Sequence, residues 1–96
     1  MAFRQFIQEK REDILSIAAK HGAKNVRLFG SIARGEDGPD SDVDLLVETE
    51  PTTSSWFPAG LILDLERLLA RRVEIVTDKG LNPHLRDRVL SEAVPL

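Results

Sequence analysis

The sequence predicts an α/β domain of the α+β kind, in which a small mixed β-sheet is flanked by helices. Apolar residues recur at helical spacing in three segments, and three short segments between them are rich in β-branched residues. The resulting order is helix, strand, turn, strand, helix, strand, helix. A chain of 96 residues with 42% hydrophobic residues supports one modest core. We therefore expect a single domain over residues 1–96.

In the first half of the chain, glycines mark the ends of predicted elements. Residues 3–21 have the apolar periodicity of one amphipathic helix, and Gly22 suits the position just after its last turn. Residues 25–29 are typical of a short strand. Residues 32–34 can form one helical turn, and residues 36–40 have the composition of a loop.

The second half alternates strands and helices. Residues 41–47 predict a second strand and residues 73–77 a third, with an amphipathic helix at 61–69 between them. Residues 78–80 form a turn. A last helix follows Asn82 and Pro83, which suit an N-cap and the first helical position.

Charge and composition exclude several functions. There are 13 Lys and Arg residues against 16 Asp and Glu, and the net charge of −3 argues against non-specific nucleic-acid binding as a function. The absence of cysteine excludes disulfides, thiolate metal sites and a cysteine nucleophile. No apolar run approaches the roughly 20 residues of a membrane span, and the start lacks a signal-peptide core. We expect a cytoplasmic protein without a membrane partner.

Two carboxylates stand one residue apart in the second predicted strand. The side chains of Asp42 and Asp44 should share one face, about 6.6 Å apart. Carboxylates held together repel each other, and a divalent cation removes that penalty. Nucleotidyl transfer uses such metals to hold the attacking and leaving oxygens, and oxygen ligands suit Mg²⁺. The alternative is a solvated strand end, in which Ser41 and Asp42 make local turn hydrogen bonds.

Glu74 is a candidate third carboxylate. If strand 73–77 lies beside strand 41–47, Glu74 joins Asp42 and Asp44 as a metal ligand or as the general base for an attacking hydroxyl. The competing interpretation is an exposed strand glutamate with no catalytic role.

The turn after the first strand predicts a phosphate site. A strand that ends in Gly30-Ser31 and enters a short helix presents backbone N–H groups and a hydroxyl to an anion. Gly30 permits close backbone approach, and Gly35 lets the chain leave the turn. Arg34 could contact a phosphate or be solvated. In isolation, the same residues would also fit an ordinary strand-to-helix turn.

These residues together resemble a known family. The stretch from Gly30-Ser31 through Gly35 to Ser41-Asp42-Val-Asp44-Leu-Leu-Val is similar to the signature of the polymerase-beta-like nucleotidyltransferases, and most similar to its minimal nucleotidyltransferases (MNT). The resemblance implies the nucleotidyltransferase fold. It implies triphosphate binding by Gly30 and Ser31, with Arg34, Gly35 and Ser41 as further nucleotide-binding candidates. It implies Mg²⁺ binding by Asp42 and Asp44, with Glu74 where the family often has aspartate.

The resemblance also implies a biological role. Minimal nucleotidyltransferases are antitoxins encoded beside HEPN-domain ribonuclease toxins, and some transfer AMP from ATP to a tyrosine of the toxin. This sequence contains no tyrosine, so a tyrosine acceptor would lie on the partner. The first alternative is an inactive antitoxin that neutralises its toxin by binding alone. A further alternative, transfer to RNA ends or small molecules, lacks a recognisable acceptor domain in 96 residues.

Some residues remain open between structural and functional interpretations. His21 suits a cation at a helix C-terminus, and the alternative is a ligand-binding role. His84 suits an exposed first helical turn, and the alternative is stacking on a nucleobase. Arg71 and Arg72 suit a solvated face or an acidic partner. The Trp56-Phe57 pair could close over the core, stack on adenine or anchor a partner.

Overall fold

The computed structural model describes residues 3–96 and contains five helices and four strands in that range. The helices are α1 (Phe3–Glu9), α2 (Arg11–Lys20), α3 (Gly30–Arg34), α4 (Ala59–Leu69) and α5 (Pro83–Glu92). The strands are β1 (Ala23–Phe29), β2 (Val43–Thr49), β3 (Val73–Thr77) and β4 (Val94–Pro95), and a 3₁₀ turn spans Asp78–Gly80.

The strands form one mixed sheet in the order β3-β2-β1-β4. β1 pairs antiparallel with both β2 and β4, whereas β2 and β3 are parallel. A parallel pair requires a crossover, which α4 supplies. The sheet therefore places β3 directly beside β2, which was the condition for Glu74 to join the two aspartates.

The core lies on one face of the sheet, under α1, α2 and α4. Val43, Leu45 and Val47 of β2 enter this core, as the alternation of the strand predicts. α4 adds Leu61 and Leu65, which are almost completely buried. Asp42, Asp44 and Leu46 belong to the other face. The core therefore supports the strands from behind while the candidate site occupies their opposite side.

The main corrections to the predicted elements concern the first helix, β2 and β4. The predicted helix 3–21 is two helices, because the chain turns at Lys10, whose N–H bonds to both Phe6 O and Ile7 O at 3.1 Å. β2 begins at Val43, so Asp42 immediately precedes the strand instead of lying within it. β4 was not predicted. Its two residues pair with Arg27 and Leu28 of β1, a contact between distant parts of the chain.

No helix in residues 3–96 is long and apolar enough to cross a membrane.

The other predicted elements are confirmed. Asn82 caps α5 by accepting a hydrogen bond from the His84 N–H at 2.9 Å, and His84 is exposed in the first turn.

Candidate active site

Asp44 and Glu74 occupy matching positions on two neighbouring strands. The parallel register of β2 and β3 pairs Asp44 with Glu74, and on the other side Asp44 pairs with Phe29 of β1. Residues paired across strands project from the same face of a sheet. The register therefore puts the second and third predicted carboxylates side by side, next to the Gly30 turn.

Asp42 is positioned by the loop that leads into β2. The Ser41 hydroxyl accepts a hydrogen bond from the Gly38 N–H at 2.9 Å, and the Ser41 N–H bonds to Gly38 O at 3.2 Å. Arg71 donates to the Ser41 carbonyl oxygen at 3.1 Å, and the Val43 N–H bonds to Arg72 O at 2.8 Å. These contacts fix the backbone on both sides of Asp42. Ser41 thus shapes the loop, and its predicted contact with nucleotide stays a prediction.

Gly30 brings the Gly-Ser turn against Asp44. Its φ of +80° is in the left-handed region, which favours glycine. A Cβ at this position would collide with Asp44 Oδ2 and lie 3.0 Å from Asp44 Cγ. Glycine is therefore needed here for two independent reasons, and the Asp44 carboxylate fills the space that a side chain would take.

The short helix α3 follows the turn as predicted. It runs from Gly30 to Arg34 and ends at Gly35, whose φ is +74°. The Gly35 N–H closes the last turn on Ile32 O at 3.2 Å. Ser31 lies in the first turn, partly exposed. Its hydroxyl makes no hydrogen bond within residues 3–96 and can donate to a ligand.

Burial and crowding change the acidity of Asp44. Together they raise the pKa of Asp44 from its ordinary value of 3.8 to about 6. Burial contributes most, followed by the negative charge of Glu74, a hydrogen bond with Glu74 and the charge of Asp42, while the charge of Arg34 acts in the opposite direction. The three predicted carboxylates therefore interact, and their repulsion adds to the effect of burial on Asp44.

The donor set fits Mg²⁺ bound together with a nucleotide. Within the described part of the chain, no three carboxylate or histidine side chains converge closely enough to hold a cation by themselves. Mg²⁺ sites commonly use one or two carboxylates and take their other ligands from substrate phosphates and water. Asp42 and Asp44 match that arrangement, and a cation would relieve the repulsion that raises the Asp44 pKa. Glu74 as a third ligand stays a prediction.

The stability of the metal-free protein should fall as pH rises through this pKa. Only well below pH 3.8 is Asp44 protonated in both the folded and unfolded states. Between about pH 4 and 6, the folded state holds the proton more tightly, so folding is disfavoured as the proton is lost. Because the carboxyl is half exposed, we expect the free energy of unfolding to fall by only about 1 kcal/mol relative to that of Asp44→Asn. Urea unfolding of both proteins in EDTA at pH 4.5 to 7.5 measures this difference, and a constant difference would contradict it.

Arg34 lies at the edge of the site and is held by two acids. Its Nε bonds to Glu36 Oε2 at 2.7 Å, and its Nη1 bonds to Glu92 Oε2 of α5 at 3.1 Å. Its charge still acts on Asp44. Arg34 is thus close to the carboxylates, and a contact with phosphate, which remains a prediction, would compete with these ion pairs.

The loop between β2 and α4 lies at the opposite end of β1 from Gly30. His21 ends α2, as predicted, and is hydrogen-bonded to Ser54 Oγ at 2.6 Å and to Asp64 Oδ2 at 2.8 Å. Phe57 packs against the core, whereas Trp56 faces solvent and is 86% exposed. Phe57 therefore closes over the core, and the position of Trp56 suits a partner contact better than adenine stacking.

Arg71 is the residue that the sequence interpretation missed. The sequence predicts only that Arg71 and Arg72 face solvent or an acidic partner. In the structure the Arg71 guanidinium stacks on the Phe3 ring, 4.0 Å from the centroid, while it donates to Ser41 O. No local signal distinguishes it from Arg72, because both of its partners are distant in sequence.

A family comparison assigns this fold and site to a class. The Nucleotidyltransferase domain family matches residues 5–96. Since the match covers nearly the whole sequence, the chain belongs to the nucleotidyltransferase domain family and is an enzyme of that class.

Two curated relatives are similar over most of their length. A protein of Methanocaldococcus jannaschii with the provisional name protein adenylyltransferase MJ0435 is 40% identical over 88 residues, or 92% of this chain and 95% of that protein. Protein adenylyltransferase MntA of Thermococcus cleftensis is 37% identical over 91 residues, or 86% of this chain and 92% of that protein.

Solved structures give the same fold. A chain provisionally described as a minimal nucleotidyltransferase has a TM-score of 0.86 and 50% identity, covering 100% of this chain and 97% of its own. A toxin-antitoxin structure with AMP-PNP has a TM-score of 0.74 and 21% identity, and the match covers 88% of this chain and 69% of that chain. A complex of a tri-AMPylated Shewanella oneidensis HEPN toxin with MNT antitoxin has a TM-score of 0.65 and 20% identity, and the match covers 96% of this chain and 70% of that chain. The predicted nucleotidyltransferase fold and the resemblance to minimal nucleotidyltransferases are thereby confirmed.

Proposed function

We propose that residues 1–96 form one nucleotidyltransferase domain that transfers AMP from ATP to a hydroxyl of a HEPN-type toxin and so neutralises it. The observation that carries this proposal is the Asp44–Glu74 pair on adjacent strands, with the Gly30 turn packed against Asp44. This arrangement supports a candidate metal ligand, a candidate base and a candidate phosphate site around one position. Relatives named protein adenylyltransferase support AMP as the transferred group.

The reaction exchanges one phosphoester bond for another. The acceptor oxygen bonds to the α-phosphorus, the bond between the α-phosphorus and its bridging oxygen breaks, and pyrophosphate leaves. Asp42 and Asp44 would hold Mg²⁺, which supplies charge neutralisation on the phosphates and a lower acceptor pKa when bound. The backbone N–H groups at Gly30 and Ser31 would orient the phosphates, and the Ser31 hydroxyl would donate to one phosphate oxygen.

Glu74 would take the proton of the acceptor hydroxyl. It is exposed on β3, next to Asp44, and a general base must lie within hydrogen-bond reach of the proton that it removes. Exposure leaves Glu74 accessible to an incoming acceptor, in contrast to the half-buried Asp44.

A HEPN-domain protein is the acceptor that we propose. The chain has no tyrosine, so a tyrosine acceptor would come from the partner. The structurally similar MNT antitoxin, solved in complex with a tri-AMPylated HEPN toxin, supports a partner of this type. ATP as co-substrate supports a cytoplasmic location, and the net charge of −3 argues against nucleic acid as acceptor.

Intact-mass spectrometry tests this function. The HEPN protein encoded beside this chain should gain mass in whole AMP units after incubation with this protein, ATP and Mg²⁺. The gain should disappear with EDTA, or when α,β-methylene-ATP replaces ATP, because that analogue blocks the bond that breaks. No gain, in a complex whose toxin is nevertheless inhibited, would favour the alternative of an antitoxin that acts by binding alone. The exposed Trp56 is the observation that favours this alternative.

Two substitutions of Glu74 test its role as the general base independently of the other site residues. Glu74→Gln should lower kcat for transfer by about a hundredfold, because general base catalysis contributes on this scale. Glu74→Asp retains a carboxylate and should stay within about tenfold of the original. Initial rates of AMP incorporation at saturating ATP measure both. Equal activity of the glutamine and aspartate variants would exclude Glu74 as the base.

A further inference from the structure

Asp42 and Asp44 are positioned by different kinds of contact. Asp44 lies within β2 and is paired with Phe29 of β1 on one side and with Glu74 of β3 on the other. Asp42 precedes the strand, and the pairing of β2 with β3 begins at Val43. The sheet therefore holds Asp44 from both sides, whereas the position of Asp42 depends on the loop that leads into β2.

A side chain from a distant segment binds the peptide group of Asp42. Arg71 Nη1 donates a hydrogen bond to the Ser41 carbonyl oxygen at 3.1 Å. Because a peptide group is planar, this oxygen and the Asp42 N–H move as one rigid unit. The bond from Arg71 therefore restrains the backbone that carries the Asp42 side chain. It is made to the backbone and not to the Asp42 carboxylate, which stays available to a cation.

Arg71 is itself held in place by α1. Its guanidinium lies over the Phe3 ring, 4.0 Å from the ring centroid. Phe3 packs against the core, and its ring centroid lies 5.5 Å from that of Phe6. A guanidinium stacked on an aromatic face keeps its planar set of donors in a defined orientation. Stacking on Phe3 thus reduces the conformational freedom that Arg71 would otherwise lose when it bonds to Ser41.

The acidic residues near Arg71 show that this contact is not set by charge alone. Asp37, Asp40 and Asp42 line the cavities that Arg71 also lines. Electrostatic attraction would direct a guanidinium to a carboxylate. Within residues 3–96, however, Arg71 forms no ion pair. Its bond to a backbone carbonyl therefore reflects its packed orientation on Phe3.

We propose that Arg71, stacked on Phe3, is a positioning residue for the metal site, because it holds the Ser41–Asp42 peptide and so orders Asp42 to bind Mg²⁺ together with Asp44. The groups of a metal site must be held within about 0.5 Å of their productive positions. Removing a group that orients a metal ligand typically costs about 10–100-fold in metal affinity. The proposal rests on the proposed function, in which Asp42 binds Mg²⁺.

Two adjacent substitutions test the positioning directly. Arg71→Met removes the charge and the donor to Ser41, whereas Arg72→Met removes the same charge from an exposed side chain that lines the same cavity as Asp42. NMR relaxation of the backbone amides of the metal-free protein measures the order of the Asp42 N–H. Its order parameter should be about 0.85 in the original protein and in Arg72→Met, and below about 0.6 in Arg71→Met. A value that is already low in the original protein, or unchanged in Arg71→Met, would overturn the proposal.

The Mg²⁺ requirement of AMP transfer to the HEPN protein gives a second readout. Arg71→Met should raise the Mg²⁺ concentration for half-maximal transfer about 10–100-fold, while kcat at saturating Mg²⁺ stays within about threefold of the original. Arg72→Met should change neither value by more than about twofold. Urea unfolding gives the folded fraction of each variant. A lower kcat per folded molecule with an unchanged Mg²⁺ requirement would overturn the proposal, because Arg71 would then act on another step.

A double-mutant cycle tests the part assigned to Phe3. Phe3→Leu keeps an apolar side chain against the core but removes the ring, and it should lower the Asp42 order parameter in the same direction as Arg71→Met. In the Arg71→Met background it should have no further effect on Asp42, because Phe3 acts through Arg71. Effects of the two substitutions that add fully would overturn this route.

The order parameter also keeps this proposal separate from the proposed function. If the original protein transfers no AMP in the presence of ATP and Mg²⁺, the proposed function fails, but the Asp42 N–H still reports whether Arg71 holds the loop. An Asp42 that is ordered in Arg72→Met and mobile in Arg71→Met would support the positioning. Equal order in the two variants would overturn it.

Discussion

Asp42→Asn is expected to reduce AMP transfer by about a thousandfold while leaving the protein folded. Asparagine has nearly the size of aspartate but lacks the negative charge that holds a hard cation. Asp42 lies outside the core cluster, in the loop just before β2, so its charge contributes nothing to core packing. Removing one of the charges that crowd Asp44 should also slightly stabilise the metal-free protein.

The measurement is the rate of AMP incorporation at saturating ATP, together with urea unfolding of the same sample. Asp87→Asn, on the exposed surface of α5, makes the same change in charge and should retain full activity. An Asp42→Asn protein with more than about a tenth of the original rate would exclude this carboxylate from the catalytic centre.

Gly30→Ala should lower both stability and activity. The left-handed φ of +80° costs a residue with a Cβ about 1–2 kcal/mol. The added Cβ also meets the Asp44 carboxylate, so this side chain must move. Because Asp44 would hold Mg²⁺, its displacement should reduce transfer at least about a hundredfold, even at temperatures where the variant is folded.

Gly22→Ala provides the matched control for backbone strain. Gly22 also has a left-handed φ, +82°, and a Cβ there would lie 2.6 Å from the Thr52 carbonyl oxygen. It precedes β1, at the other end of the strand from Gly30. Gly22→Ala should therefore lose stability but keep its rate per folded molecule. If the two variants lose activity equally when stability is matched, the contact between Gly30 and Asp44 has no catalytic importance.

The sequence was sufficient to predict the face on which the carboxylates lie. Alternation along β2 separates Asp44 from Val43 and Leu45, and this period depends only on strand geometry. The link to Glu74 remained conditional, because strand order is a property of the whole sheet. The α4 crossover makes β2 and β3 parallel neighbours, and the register between them pairs Asp44 with Glu74.

Other features depend on contacts between distant residues. The break at Lys10 has no glycine or proline to indicate it, and β4 consists of two residues that pair with β1 only after the chain has folded. The same reason explains why the contacts of Arg71 were not predicted. Its stacking on Phe3 and its bond to Ser41 join three segments that are far apart in sequence, so no local pattern predicts them.

The two faces of β2 can change independently in evolution. Val43, Leu45 and Val47 maintain the fold, whereas Asp44 contributes no packing to that cluster. A lineage could therefore lose the reaction by one substitution on the acidic face and still inherit a stable domain with its surfaces intact. In such a family, catalytic enzymes and descendants that only bind would share one architecture, and the identity of a few carboxylates would distinguish them.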